Sequence, residues 1–426
     1  MRKETNRIRK RILLIAATTG YQVRVFAETA ERIGMDVVLA TDRCLHLDDP
    51  WADQAIAVRF QDPFTYADSL AEAGTRVDGI VAVGDRPAFL ASIAAERLGL
   101  PFHPSAALDA CRNKYLTRER FRAAGLRVPD YRRFALFEEP STAAREVAYP
   151  CVLKPLGLSA SQGVIRADDA AQFVSAFERI RAILETRDIA GLKDEQNRHV
   201  QVEHYIPGRE FAIEGIVTNC ELQIFALFDK PDPLEGPYFA ETIYVTPSRE
   251  PAAVQNELMA AARRAVQALG LTSGPVHIEL RYNDEGSWVL EVAGRPIGGL
   301  CARALRFDGG VSLEEIILRH STGEDVSKLR RESLASGVYM IPVLRAGIYR
   351  CTRGVDRAAA IPNIEEVLVT AKEGQRVQPL PEGSTYAGFI FSRAEAPELV
   401  ESALRDAHAE LEFHIAATLP VMEPGH

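Results

Sequence analysis

The sequence has 426 residues, 47% hydrophobic and 26% charged, which are ordinary proportions for a folded chain of about two to four domains. Its 59 acidic residues outnumber 50 basic ones, for a formal net charge of -9, and the two signs are interspersed; this excludes a basic nucleic-acid-binding stripe. No run approaches the roughly 20 apolar residues of a membrane helix, and a chain this long buries enough core to need neither disulfides nor a structural metal.

The chain opens on a basic tail, MRKETNRIRKR, followed by an apolar run from Ile12 to Ala17 that is too short for a signal peptide. It reads as a charged tail ahead of a buried strand, and a cytoplasmic protein is expected. Cysteines stand at 44, 111, 151, 220, 301 and 351 with no C-x-x-C pair, so buried free thiols are expected. Between 12 and 104, strands (Arg11 to Ala16, Asp36 to Ala40, Gly79 to Val83) alternate with helices (Val23 to Ile33, Pro87 to Leu98), each helix stopped by a glycine. That alternation predicts a parallel sheet covered on both faces. The turn Ala17-Thr18-Thr19-Gly20 lies where such sheets bind ligands, but it lacks a G-x-G-x-x-G, so no nicotinamide site is read there.

Residues 105–130 read as polar helix ending at Gly125. Strands follow at Val147 to Pro155 and Val200 to Val217, with a helix from Ala170 to Glu185 and a surface loop from Thr186 to His199 between them. Lys230 to Pro237 is a Pro/Gly/acid loop interrupting strands, and Asn256 to Leu269 is an amphipathic helix. Val276 to Tyr282 and Trp288 to Val292 form a hairpin closed by Asn283-Asp284-Glu285-Gly286. Beyond about 310 come a helix (Leu313 to His320), a β-rich stretch (Gly337 to Phe391) and a last helix (Pro397 to Ile415).

The hairpin carries the strongest chemical signal. Pairing its strands sets Glu279 and Glu291 across the ladder from each other. Two like charges there repel unless a divalent ion lies between them, and Mg²⁺ binds through one or two carboxylates plus phosphates. A pair of solvated acids is the bland alternative, weakened by the Val, Ile, Leu and Ala around them. Arg295, just past the second strand, can grip an anionic phosphate as a fork. His277 is either a proton acceptor or a strand residue packed near the metal acids.

Two weaker signals lie upstream. Lys154 ends an apolar strand and precedes the small-residue loop 156–163, whose Ser159, Ser161 and Gly163 can let backbone N–H groups approach a polyphosphate; taken alone, such a loop is more often a plain hairpin. At Glu203-His204-Tyr205-Ile206-Pro207-Gly208-Arg209-Glu210 a strand turns into another. A hinge of this kind can meet an adenine edge, with Ile206 against its face and Glu203 and Glu210 accepting from nucleotide amino or hydroxyl groups.

In this order and spacing, together with Asn113-Lys114 opening a helix that ends Ala124-Gly125-Leu126-Arg127-Val128-Pro129, these elements resemble the ATP-grasp superfamily from about Arg11 to the end of the chain. Within it, the chain looks most like the L-amino acid ligases. The resemblance implies an α/β fold of ATP-grasp architecture: an N-terminal Rossmann-like parallel-sheet domain (1–104), a central two-lobed ATP-grasp domain (105–310) and a β-rich C-terminal α+β domain (311–426). It implies Lys114 and Lys154 as nucleotide-phosphate lysines, and Glu203, Tyr205, Ile206 and Glu210 as adenine and ribose contacts. Glu279 and Glu291 are implied as Mg²⁺ ligands, with Mn²⁺ as the alternative ion. Arg295 is implied to hold the acyl phosphate, Glu241 to anchor the amine of the first amino acid, and Gly298 and Gly299 to lie beside the acyl group.

One position departs from the superfamily pattern: Ala293 stands where an asparagine usually helps bind metal. The implied activity is an ADP-producing ligase joining small-molecule carboxylate and amine substrates, with no nucleic-acid or membrane partner, in the homodimeric state usual for the family. The loops 156–163 and 231–238 are expected to cover the acyl phosphate. A carboxylase resembling biotin carboxylase and a nucleotide-binding module without catalysis remain as alternatives.

Overall fold

The strand Arg11–Ala16 is buried at every position after Arg11, as a parallel strand covered on both faces must be. The computed structural model describes residues 9–18, 22–42, 55–72 and 76–417. Arg11–Ala16 pairs in parallel with Asp36–Thr41 and with Gly79–Val83, in a four-stranded sheet whose far edge is Ile56–Ala57. Helices Val23–Arg32 and Asp85–Leu98 follow their strands as expected, the second ending on Gly99 in the left-handed conformation. The ligand turn predicted at 17–20 and Cys44 fall partly or wholly outside the described residues, as does most of the basic tail. Of the described cysteines, 111, 151 and 301 are buried free thiols; Cys220 and Cys351 are exposed, contrary to expectation.

The polar helix expected over 105–130 is two helices, Ser105–Cys111 and Lys114–Ala123. The Asn113 side chain breaks the run: its oxygen accepts from the N–H groups of Tyr115 (3.1 Å) and Leu116 (3.2 Å), starting a new helix with Lys114 at its first position.

A four-stranded antiparallel sheet follows, ordered Tyr131–Ala135, His199–His204, Cys151–Pro155, Ile165–Ala167. The strand predicted over Val147 to Pro155 begins at Cys151 instead, since Pro150 has no N–H to give a ladder. Helix Ala170–Leu184 covers the sheet with Phe173, Phe177, Ile180 and Leu184, spaced four, three and four, making a core of its own. The surface loop expected at 186–199 holds a helical turn at Arg187–Ala190 and a 3₁₀ turn at Glu195–Arg198. Ile189 is drawn into the same core, and Gln196 and Asn197 are buried.

The largest sheet has eight strands, in the order Gly286–Ala293, Gly274–Asn283, Arg209–Thr218, Glu221–Lys230, Ile243–Thr246, Ala335–Pro342, Tyr386–Ala394, Ile364–Val369. It runs unbroken past residue 310, because Ile243–Thr246 pairs with Ala335–Pro342. The last predicted helix stops at Ala409. Glu412–Ala416, where apolar Phe413 and Ile415 alternate with polar neighbours, is instead a strand paired with Gly347–Arg353. Among the described residues, no helix is long and apolar enough to cross a membrane.

His103 ties these parts together. It is buried, its Nδ1 accepts from the N–H groups of Thr272 (3.2 Å) and Ser273 (3.3 Å), and Nε2 donates to the carbonyl of Pro275 at 3.1 Å. Burial lowers its pKa to about 4, and protonation would turn Nδ1 into a donor facing two donors. The native state therefore prefers neutral imidazole. This contribution is complete above the unfolded-state value near 6.5 and is lost as pH falls toward 4, at about 1.4 kcal/mol per pH unit. Urea midpoints at pH 6.5 and 4.5 should show the wild type losing roughly 2 kcal/mol more than His103→Asn; equal losses would refute the assignment.

Candidate active site

Along the strand Gly274–Asn283, Ile278 and Leu280 enter the core, so the alternate residues His277, Glu279 and Arg281 share the opposite face. The register with Arg209–Thr218 then places Glu214 opposite His277, Ala212 opposite Glu279 and Glu210 opposite Arg281, while Lys230 of the next strand lies opposite Glu210. A charge ladder results. Lys230 Nζ is 2.8 Å from Glu210, and Arg281 Nε is 2.9 Å from the other oxygen of the same carboxylate. The small side chain of Ala212 leaves room beside Glu279.

On the other flank, Glu291 lies opposite Glu279 as expected, but through a register shift at Leu290, since the turn's own register would set Leu290 there. Carboxylate oxygens of Glu210, Glu241 and Glu279 all lie within 4.8 Å of one another. Lys230 sits among them, bonded to Glu241 and 3.7 Å from Glu279. Burial alone would lower the pKa of Lys230, but Glu210 and Glu241 hold it well above the usual value. Burial would raise that of Glu279, and Lys230 with His277 keeps it ionised, well below the usual carboxylate range. Lys230 is the cation of this cluster, and Glu279 with its cross-strand partner Glu291 offers the oxygen donors that suit a hard divalent cation.

A second charged group forms where the smaller sheet meets helix Lys114–Ala123. Arg118 is buried and grips Glu203 through Nε (2.6 Å) and Nη2 (3.2 Å), while its Nη1 donates to the Val289 carbonyl at 3.0 Å. Lys154 donates to Glu203, and Gln201 Nε2 donates to it at 2.7 Å. Both oxygens of Glu203 are thus taken by neighbouring side chains. Its carboxylate orients Lys154 from within the cavity wall. Lys114 Nζ donates to the Leu158 carbonyl at 2.8 Å and lies 3.8 Å from Glu291.

The third group surrounds Arg295, which Asp85 holds at Nε (2.8 Å) and Nη2 (3.3 Å). Burial would lower the guanidinium pKa, and Asp85 instead raises it. His277 Nδ1 is 3.1 Å from fully buried Glu214, and its Nε2 is 3.6 Å from Glu279. Against the effect of burial, these two acids raise the histidine pKa to about 9. His277 is thus packed between two acids, beside Glu279. Glu241 is engaged by Lys230 and by Tyr244 Oη at 2.8 Å.

All three groups face one cavity of about 390 Å³, whose wall includes Lys114, Lys154, Ser159, Ser161, Glu203, Tyr205, Ile206, Glu210, Glu241, Glu279, Glu291, Arg295, Gly298 and Gly299. Gly163 is outside that wall. Its N–H donates to the Pro381 carbonyl at 2.9 Å, its φ of 72° suits glycine, and a Cβ there would meet Pro155 at 2.6 Å. Leu158 to Ser161 and Leu234 also line the cavity, one from each expected covering loop. Arg118, Lys230, Glu214 and Asp85 were not singled out in the sequence. Three of them had a signal: an ionisable residue inside or ending an apolar run, as in Phe211-Ala212-Ile213-Glu214-Gly215-Ile216.

Residues 147–304 match the ATP-grasp domain, and residues 339–416 match the L-amino acid ligase C-terminal domain 2. The crystal structure of an L-amino acid ligase from Bacillus licheniformis superposes with a TM-score of 0.81 at 25% identity, covering 96% of this chain and 99% of that one. Alanine–anticapsin ligase of Bacillus subtilis strain 168 is 27% identical over 53% of this chain and 50% of that protein. Dapdiamide A synthase of Enterobacter agglomerans is 29% identical over 52% and 51%. The matches thus span about half the length of these two ligases.

Proposed function

For a chain with an ATP-grasp domain joined to an L-amino acid ligase C-terminal domain, we propose the activity of an ATP-dependent carboxylate–amine ligase that forms an amide bond through an acyl phosphate, with an amino acid as one substrate. The observation that carries this reading is the convergence of Lys114, Lys154, Arg295, Glu279 and Glu291 on one cavity. Lys114 and Lys154 would hold the ATP phosphates, and Arg295, held by Asp85, would hold the acyl phosphate.

The oxygen donors fit Mg²⁺, which Glu279 and Glu291 would hold; bound there it would offset phosphate charge. Ala293 offers no side-chain donor, so the carboxylates are the protein's contribution to that ion. The substrate carboxylate attacks the γ-phosphorus of ATP, giving an acyl phosphate and ADP; the amine then displaces phosphate. The chain's part is positioning and charge neutralisation by Lys154 and Arg295. Glu241, already holding Lys230, presents its carboxylate to the ammonium of the amino acid. Tyr205, Ile206 and Glu210 meet the nucleoside, and the loops over the cavity exclude water from the acyl phosphate.

A coupled assay of ADP release over all pairs of the twenty L-amino acids tests the reading. Amino-acid-dependent release with amide product is expected. Release that needs bicarbonate and biotin instead, or none with any pair, would reject it.

A further inference from the structure

The loop that carries Arg295 is held largely by the N-terminal domain. At Ile297 both backbone groups are fixed. Gln22, itself buried, donates from Nε2 to the carbonyl at 2.6 Å, and the N–H donates to Glu214 Oε1 at 3.1 Å. The Arg295 side chain is held by Asp85, the first residue of the helix Asp85–Leu98. Gly84 precedes it with φ 97°, a conformation that lets strand turn into helix within one residue and delivers Asp85 to the cavity wall.

A guanidinium has five N–H donors. Asp85 takes the one on Nε and one on Nη2, and the Pro296 carbonyl takes one on Nη1 at 3.0 Å. One N–H remains on each terminal nitrogen, the pair that can grip a single anion as a fork. Other acids compete for this cation: Glu291 and Glu214 both act on it electrostatically. Without a fixed partner, Arg295 would be drawn to them and away from the anion.

We propose that Asp85 is a positioning residue for the reaction: it locks Arg295 so that its two free N–H groups meet the acyl phosphate. This rests on the ligase reading above. The N-terminal domain thereby sets the aim of a residue that belongs to the ATP-grasp hairpin.

The test is Asp85→Asn in the full chain, using the amino-acid pair that gives the fastest ADP release with the wild type. Because Gln22 and Glu214 still fix Ile297, the loop keeps its course, and only the aim of Arg295 is lost. The expected kcat falls on the order of 10- to 100-fold, the scale of an ångström-sized misplacement, while KM for ATP stays within about twofold. A loosely held acyl phosphate is also exposed to water longer, so ADP released per amide formed should rise above the wild-type ratio. A merely structural role would not change that ratio. If Asp85→Asn does not fold, Asp85→Glu carries the same expectation, since its longer arm displaces the guanidinium. An unchanged kcat and ratio in a folded variant would overturn the inference and leave the ligase reading standing. A wild type that releases no ADP with any pair would remove both.

Discussion

Glu291→Ala should abolish amino-acid-dependent ADP release while leaving the fold intact. The two halves of this result have separate causes. Glu291 is about one-third exposed, and its ionic contact is Lys114 at 3.8 Å, a pair that contributes roughly 0–1 kcal/mol to stability. Its strand is held by the ladder to Gly274–Asn283 and by Val289 and Val292 in the core, which the substitution does not touch. The melting temperature should therefore move by no more than about 2 °C. Catalysis loses much more. Glu291 is the acid directly across from Glu279, and Ala293 cannot take over its part. A metal's stabilisation of developing charge is worth several kcal/mol; losing about 4 kcal/mol corresponds to roughly a 1,000-fold drop in turnover. Wild-type turnover in a folded Glu291→Ala protein would reject the metal assignment.

What could be read from the sequence follows the range of the interactions involved. The Glu279–Glu291 pairing was legible only in part: the four-residue turn fixes the register as far as Leu280 opposite Val289, and a one-residue shift at Leu290 then brings Glu291 opposite Glu279. The strand–helix alternation of residues 11–98 is equally local. Other parts of the site are not. Arg295 and Asp85 are 210 residues apart, and Arg118 and Glu203 are 85 apart. No periodicity links such pairs; they meet only when separate sheets close on one another. The run 397–415 misled for a related reason. Its helical spacing is real as far as Ala409, but Glu412–Ala416 finds a strand edge at Gly347–Arg353 that no local pattern announces. At Glu203 the sequence shows a carboxylate at a hinge without showing the two cations that occupy it.

That occupancy makes Glu203→Ala the most damaging substitution expected for stability. Glu203 and Arg118 are each 2% exposed at the side chain, and Lys154 is 15% exposed. Burial works to protonate Glu203, yet Arg118 and Lys154 together hold its pKa well below the usual carboxylate range. Removing the acid leaves two cations facing each other in a site with little water. Breaking one side of a buried pair typically costs about 3–5 kcal/mol, and the urea midpoint should fall accordingly. Stability alone would not tell a structural pair from one that aims Lys154 at a nucleotide, but a double substitution separates the two. Glu203→Leu combined with Arg118→Met replaces the buried pair by apolar side chains of similar length, and should recover most of the lost stability. It should not recover ADP release or nucleotide affinity, because Lys154, whose ammonium burial already disfavours, still lacks the carboxylate that keeps it charged and directed at the cavity. If the double variant regained turnover together with stability, Glu203 would be a packing element and Lys154 would not depend on it.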